Sequence, residues 1–149
     1  MSLDYDLYVG KGLSERELLS LIRHRMGFKL TGRKFDGPGL SGVVFEVDAV
    51  RNAILQEDLG LRMELCVGTW MDLSAHDEKR GYLGIETIAR LSVHVIKQGA
   101  FDALLLFNGE TPCLLRRSGV LRLRKEFWKS MGRLSLVDVP YKLEDLPSL

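Results

Sequence analysis

The sequence predicts an α+β domain: a mainly antiparallel sheet of about five to six strands with two main helices packed on one face, in the order β-α-β-β-α-β-β-β. Three observations predict it. Apolar residues alternate with period two over residues 3–9, 43–48 and 61–71, as in half-buried strands. Two stretches near residues 15–26 and 85–96 carry apolar residues at helical spacing. Tight-turn pairs near the C-terminus then join three further strands, and hairpins impose antiparallel pairing.

Each element has its own local reason. Leu3, Tyr5, Leu7 and Val9 share one face of the first strand, with Asp4, Asp6 and Tyr8 on the other, and Gly10 and Gly12 break it. Ser14 followed three residues later by Glu17 is a capping box. Leu18, Leu19, Ile22 and Met26 continue as a helical stripe, and Gly27 suits the C′ position. Residues 29–41 (KLTGRKFDGPGLS) read as an irregular connection, because glycine and proline dominate them. Residues 43–48 make the second strand. Residues 49–59 fit either a short helical turn or a loop, and residues 61–71 a long third strand.

A polar loop, DLSAHDEKRG, leads into the second helix. Its inner face is Ile85, Ile88, Ala89, Ser92, Val95 and Ile96, Glu86 and Arg90 pair at i,i+4 on the outside, and Gly99 ends it. Residues 102–107 (DALLLF) form a strand. The Asn108-Gly109 pair after it is the preferred type I′ turn, which needs two positive φ angles. Residues 110–117 return, with Pro112 tolerable near the strand start or on an edge. Ser118-Gly119 turns again into 120–124, where Leu121 and Leu123 face in and Arg122 and Arg124 face out. KEFWKSMG fits a short helix and YKLEDLPSL a loosely packed tail.

The 149 residues suit a single domain, 1–149. A content of 46% hydrophobic and 28% charged residues is that of a globular protein, and a net charge of +1 supplies no global attraction to nucleic acid or anionic lipid. No apolar run has the length of a membrane span and the N-terminus lacks a signal-peptide pattern, so a cytoplasmic protein is expected. Cys66 and Cys113 sit in apolar strand-like runs and read as buried free thiols.

No residue set carries a defensible catalytic or metal-binding pattern, and no cofactor is expected. His24 stands between two arginines, His76 lies in a polar loop, and His94 joins Glu86 and Arg90 in a polar helix stripe. No HExxH, HxH or paired cysteine accompanies them. Gly39-Leu40-Ser41-Gly42 falls short of a nucleophile elbow and leads from loop to strand. The glycines of YVGKGLSERE lack the P-loop lysine pair, and Glu15 and Glu17 there repel an anion.

Charge is nonetheless uneven. Between residues 116 and 133 stand seven basic residues (Arg116, Arg117, Arg122, Arg124, Lys125, Lys129 and Arg133) and one acidic one, Glu126, with Phe127 and Trp128 among them. Outward arginines on an edge strand guard against edge pairing. The same run also suits nucleic acid or an acidic protein partner.

The opening LDYDLYV, the SERELL helix and the segment from Phe101 to Arg117, F-D-A-L-L-L-F-N-G-E-x-x-x-L-L-R-R, resemble the swarming-inhibition (Sit-type) immunity proteins of bacterial polymorphic toxin systems. Residues 28–58 lie outside that likeness. The resemblance implies a small non-enzymatic protein, encoded beside a toxin, that neutralises this cognate protein toxin by stoichiometric complex formation. The expected partner-binding residues are Glu110 at the hairpin mouth, the outward Arg116, Arg117, Arg122 and Arg124, and an exposed Trp128. A nucleic-acid-associated module using the basic segment is the first alternative. A small enzyme built on Glu86, Arg90 and His94 is the second.

Overall fold

The computed structural model describes residues 2–72 and 78–149. The polar loop around His76 falls in the gap, so the expectation for His76 lies outside the described residues. The elements run β1 (Ser2–Val9), α1 (Glu15–Ser20) continued by a π-helical turn (Leu21–Arg25), β2 (Lys29–Thr31), β3 (Lys34–Gly37), β4 (Leu40–Glu46) and α2 (Ala49–Leu59). After these come β5 (Leu65–Asp72), α3 (Glu78–Ile96), β6 (Ala103–Phe107), β7 (Thr111–Arg117), β8 (Val120–Arg124), α4 (Lys125–Lys129), a 3-10 stretch (Ser130–Leu136) and β9 (Lys142–Glu144).

The strands form one nine-stranded sheet in the order β2-β3-β4-β5-β1-β6-β7-β8-β9. Pairing is antiparallel throughout except between β8 and β9, which run parallel. The expected α+β class and antiparallel sheet are therefore found, with more strands than the expected five to six. The additions come from segments whose short strands carry little alternation. Residues 29–41 are a hairpin and the start of β4, not an irregular connection. Gly32, at φ +63°, opens a two-residue turn between β2 and β3, and Pro38-Gly39, with Gly39 at φ +69°, turns β3 into β4. The tail likewise adds β9 and buries Leu146 rather than lying loosely on the surface.

Both faces of the sheet carry a core. On one face, Leu7, Val9, Val44, Val67, Leu105 and Leu114 meet Leu18 and Ile22 of the first helix, Ile88, Leu91, Val95 and Ile96 of α3, and Trp128 of α4. The two main helices thus share a face, as expected. Ser14 accepts from the Glu17 backbone N–H at 3.1 Å and the Glu17 carboxylate accepts from the Ser14 N–H at 3.3 Å, completing the capping box.

The opposite face is covered at one end by α2, whose Leu55 packs with Tyr8, Cys66, Leu104, Leu106 and Leu115. Residues 49–59 therefore make three turns of helix, well beyond a short turn. Asp48 caps this helix, accepting from the Arg51 N–H at 2.8 Å, and Gly60 closes it at φ +65°. Asn52 exchanges two hydrogen bonds with the Met63 backbone, at 2.9 and 2.8 Å. Those bonds hold Leu61–Glu64 under α2, and the paired strand begins only at Leu65. Removing the cap with Asp48→Ala is expected to cost about 1 kcal/mol. A denaturant midpoint unchanged from wild type would contradict that role.

Candidate interaction surface

The expected contact residues on the C-terminal meander divide into buried and exposed sets. Asn108 and Gly109 take φ +49° and +74°, and Ser118 and Gly119 take +51° and +80°, so both expected turns form. Arg116, however, is not outward. Its strand register points it at the helical layer, where it is 7% exposed. Its Nε donates to the Phe101 carbonyl at 2.9 Å and its two terminal nitrogens to Ile96 at 2.8 Å and Gly99 at 2.6 Å. A buried cation at the carbonyl end of α3 ties that helix to β7.

Trp128 is likewise buried, at 0% exposure, with its indole N–H donating to the Cys113 carbonyl at 2.8 Å. Packing against Phe127, edge to face, holds its ring inward. The expectation of an exposed Trp128 is therefore corrected. Arg124 donates to the carbonyls of Pro112, at 2.7 Å, and Leu146. Arg117, exposed, reaches the Leu59 carbonyl at 2.6 Å. Arg122 stands 3.9 Å from Glu144, and Glu110 is exposed at the hairpin mouth. Much of the basic run serves backbone carbonyls of its own chain, which neither composition nor periodicity could reveal.

The groups weighed for chemistry are placed as follows. Burial pushes the Cys113 thiol up to about 12 and raises Cys66 well above its ordinary value, so neither supplies a thiolate near neutrality. Ser41 donates to Asp36 at 2.7 Å. Glu86 pairs with Arg90 at 3.0 Å on an exposed helix face. Burial, with Lys97, Arg25 and Arg90 nearby, lowers the His94 pKa. The recess at the start of α1 gathers Glu15, Glu17, Glu46 and Glu64 with Lys11, which extends the expected repulsion of anions there.

A second surface was not anticipated from the sequence. Beyond the end covered by α2, the sheet face remains open across β4, β5 and β1, and a groove there is lined by Asp4, Asp6, Val43, Phe45, Arg51, Gly68, Thr69 and Trp70. Cross-strand register sets its floor: Asp4 lies opposite Trp70, Asp6 opposite Gly68, and Gly68 opposite Val43. The Phe45 ring takes the place of a side chain at Gly68: a Cβ there would meet the ring at 3.0 Å and an Asp6 carboxylate oxygen at 3.5 Å.

Arg51 is committed to the Tyr8 hydroxyl at 2.8 Å and lies over the Phe45 ring. Burial raises the Asp6 carboxyl above its ordinary pKa; Arg51 pulls the other way and Asp4 adds to the rise. The one signal in the sequence was the pair of aspartates on the same face of β1, which alternation alone marks as the solvent side.

The chain belongs to the SitI3-like family, whose model matches residues 3–132. No curated protein and no solved structure matches it. Among the described residues no helix is long and apolar enough to cross a membrane.

Proposed function

We propose that this chain is a non-enzymatic immunity protein that neutralises a cognate protein toxin by forming a stoichiometric complex with it. The observation that carries this reading is membership of the SitI3-like family over nearly all of the sheet and its helices. The architecture supports it. A sheet packed on both faces presents a preformed surface, which lowers the ordering cost of binding. Exposed Glu110 and Arg117 and half-buried Arg122 remain candidates for contact at the meander end. The nucleic-acid alternative is weakened by the carbonyl bonds that occupy Arg116 and Arg124.

The test is co-expression with the product of the adjoining toxin gene. The expected outcome is relief of toxicity together with a complex that co-purifies at fixed stoichiometry. A toxin that kills equally with and without this chain, and does not co-purify with it, would overturn the reading.

A further inference from the structure

The open groove is built as an acceptor for positive charge set among apolar groups. Asp4 and Asp6 project from the same face of β1, about 6.5 Å apart along the strand. Among the described residues neither is in an ion pair, and the nearest cation, Arg51, is held by the Tyr8 hydroxyl. Three and four strands from β1, the β2–β3 end of the same face carries Lys29 and Lys34, and Asp36 there is bonded by Ser41. The negative end of the face is therefore β1.

Apolar surface borders these carboxylates. Trp70 is 40% exposed directly opposite Asp4. Val43 and Phe45 of β4, each half-buried, line the same groove. An exposed tryptophan beside a desolvated charge is the composition of a binding hot spot.

We infer that the groove across β4, β5 and β1 docks a toxin segment bearing an arginine or lysine, with the cation between Asp4 and Asp6 and its apolar neighbours against Trp70 and Phe45. This inference rests on the immunity reading. It assigns the principal contact to the acidic face of β1 rather than to the basic meander. A nucleic acid or other polyanion is disfavoured at the same place, because its phosphates would meet two carboxylates.

Binding to the purified product of the adjoining toxin gene tests it, at low and high salt. Asp4→Asn, Asp6→Asn and Trp70→Ala are each expected to weaken the complex about tenfold or more. Salt should weaken the wild-type complex more than that of the Asp4→Asn/Asp6→Asn double variant. Glu86→Gln, on the far helical face, should bind as wild type. Because the Asp6 charge is held where burial disfavours it, Asp6→Asn is expected to leave the unfolding midpoint of the free protein unchanged or higher. A variant that keeps the wild-type midpoint and loses binding has lost the contact rather than the fold. A double variant that binds as tightly as wild type overturns the inference while leaving the immunity reading intact. A wild-type protein that neither binds nor protects overturns both.

Discussion

Replacing Trp128 with alanine is expected to destabilise the protein by about 3–5 kcal/mol, the range for removing a large aromatic from a closed core. The indole is fully buried between α4, the sheet and Phe127, and its N–H satisfies the Cys113 carbonyl on β7. Truncation would open a cavity and leave that carbonyl without its donor. Trp128→Phe retains most of the ring contact and should lose the smaller amount, about 1–3 kcal/mol, that belongs to the unpaired carbonyl. Both values are read from the denaturant midpoint, with the slope unchanged if the loss is local to the native state. The chain's other tryptophan, Trp70, stands half-open on the sheet face. Acrylamide should therefore quench Trp70 and spare Trp128. A Trp128→Ala protein with the wild-type midpoint would return this residue to the surface.

The readable parts of the fold were those whose signals are local and stereochemical. The Ser14/Glu17 capping box satisfies helix N–H groups within one turn, and Asn108-Gly109 reports two positive φ angles that few residue pairs tolerate. Such signals need no knowledge of what packs above them. The β2–β3 hairpin was missed because three- and four-residue strands are too short to show a period, although Gly32 and Pro38-Gly39 mark both of its turns. The α2 helix was obscured by its weak amphipathicity: Leu55 is buried while Val50 and Ile54 face outward. Asp48 and Gly60 were its better markers, one at each end.

The candidate surfaces failed in a different way. Reading an arginine as outward assumes that one sheet face meets water, and here both faces are covered over the meander. Leu104, Leu105 and Leu106 of β6 are consecutive and all buried, and in β7 burial runs unbroken from Pro112 to Arg116, so polarity was the cue left for Arg116. Polarity misleads where a guanidinium can reach backbone carbonyls. The groove was missed for the converse reason. Asp4, Asp6, Gly68 and Trp70 are far apart in the chain, and only the β1–β5 register sets them side by side.

Arg116 separates the two explanations of the basic segment most sharply. Its side chain gives the carbonyls of Ile96, Gly99 and Phe101 a donor each, and its guanidinium lies over the Phe101 ring. Burial lowers its pKa, so the charge is present at some cost and is retained for the bonds it makes. Arg116→Met keeps the aliphatic stem and strands three acceptors; the expected loss is about 3–5 kcal/mol, less than three separate bonds would sum to because the loop can relax toward water. Arg116→Lys offers one compact donor group in place of the planar fork and should recover only part of that loss. Hydrogen exchange should locate the change at the end of α3 and the turn into β6, where amide protection falls first. A partner-contact role predicts the opposite pattern: wild-type stability and protection in both variants, with binding lost. The buried geometry requires stability to fall first, and any loss of binding to follow the fraction unfolded.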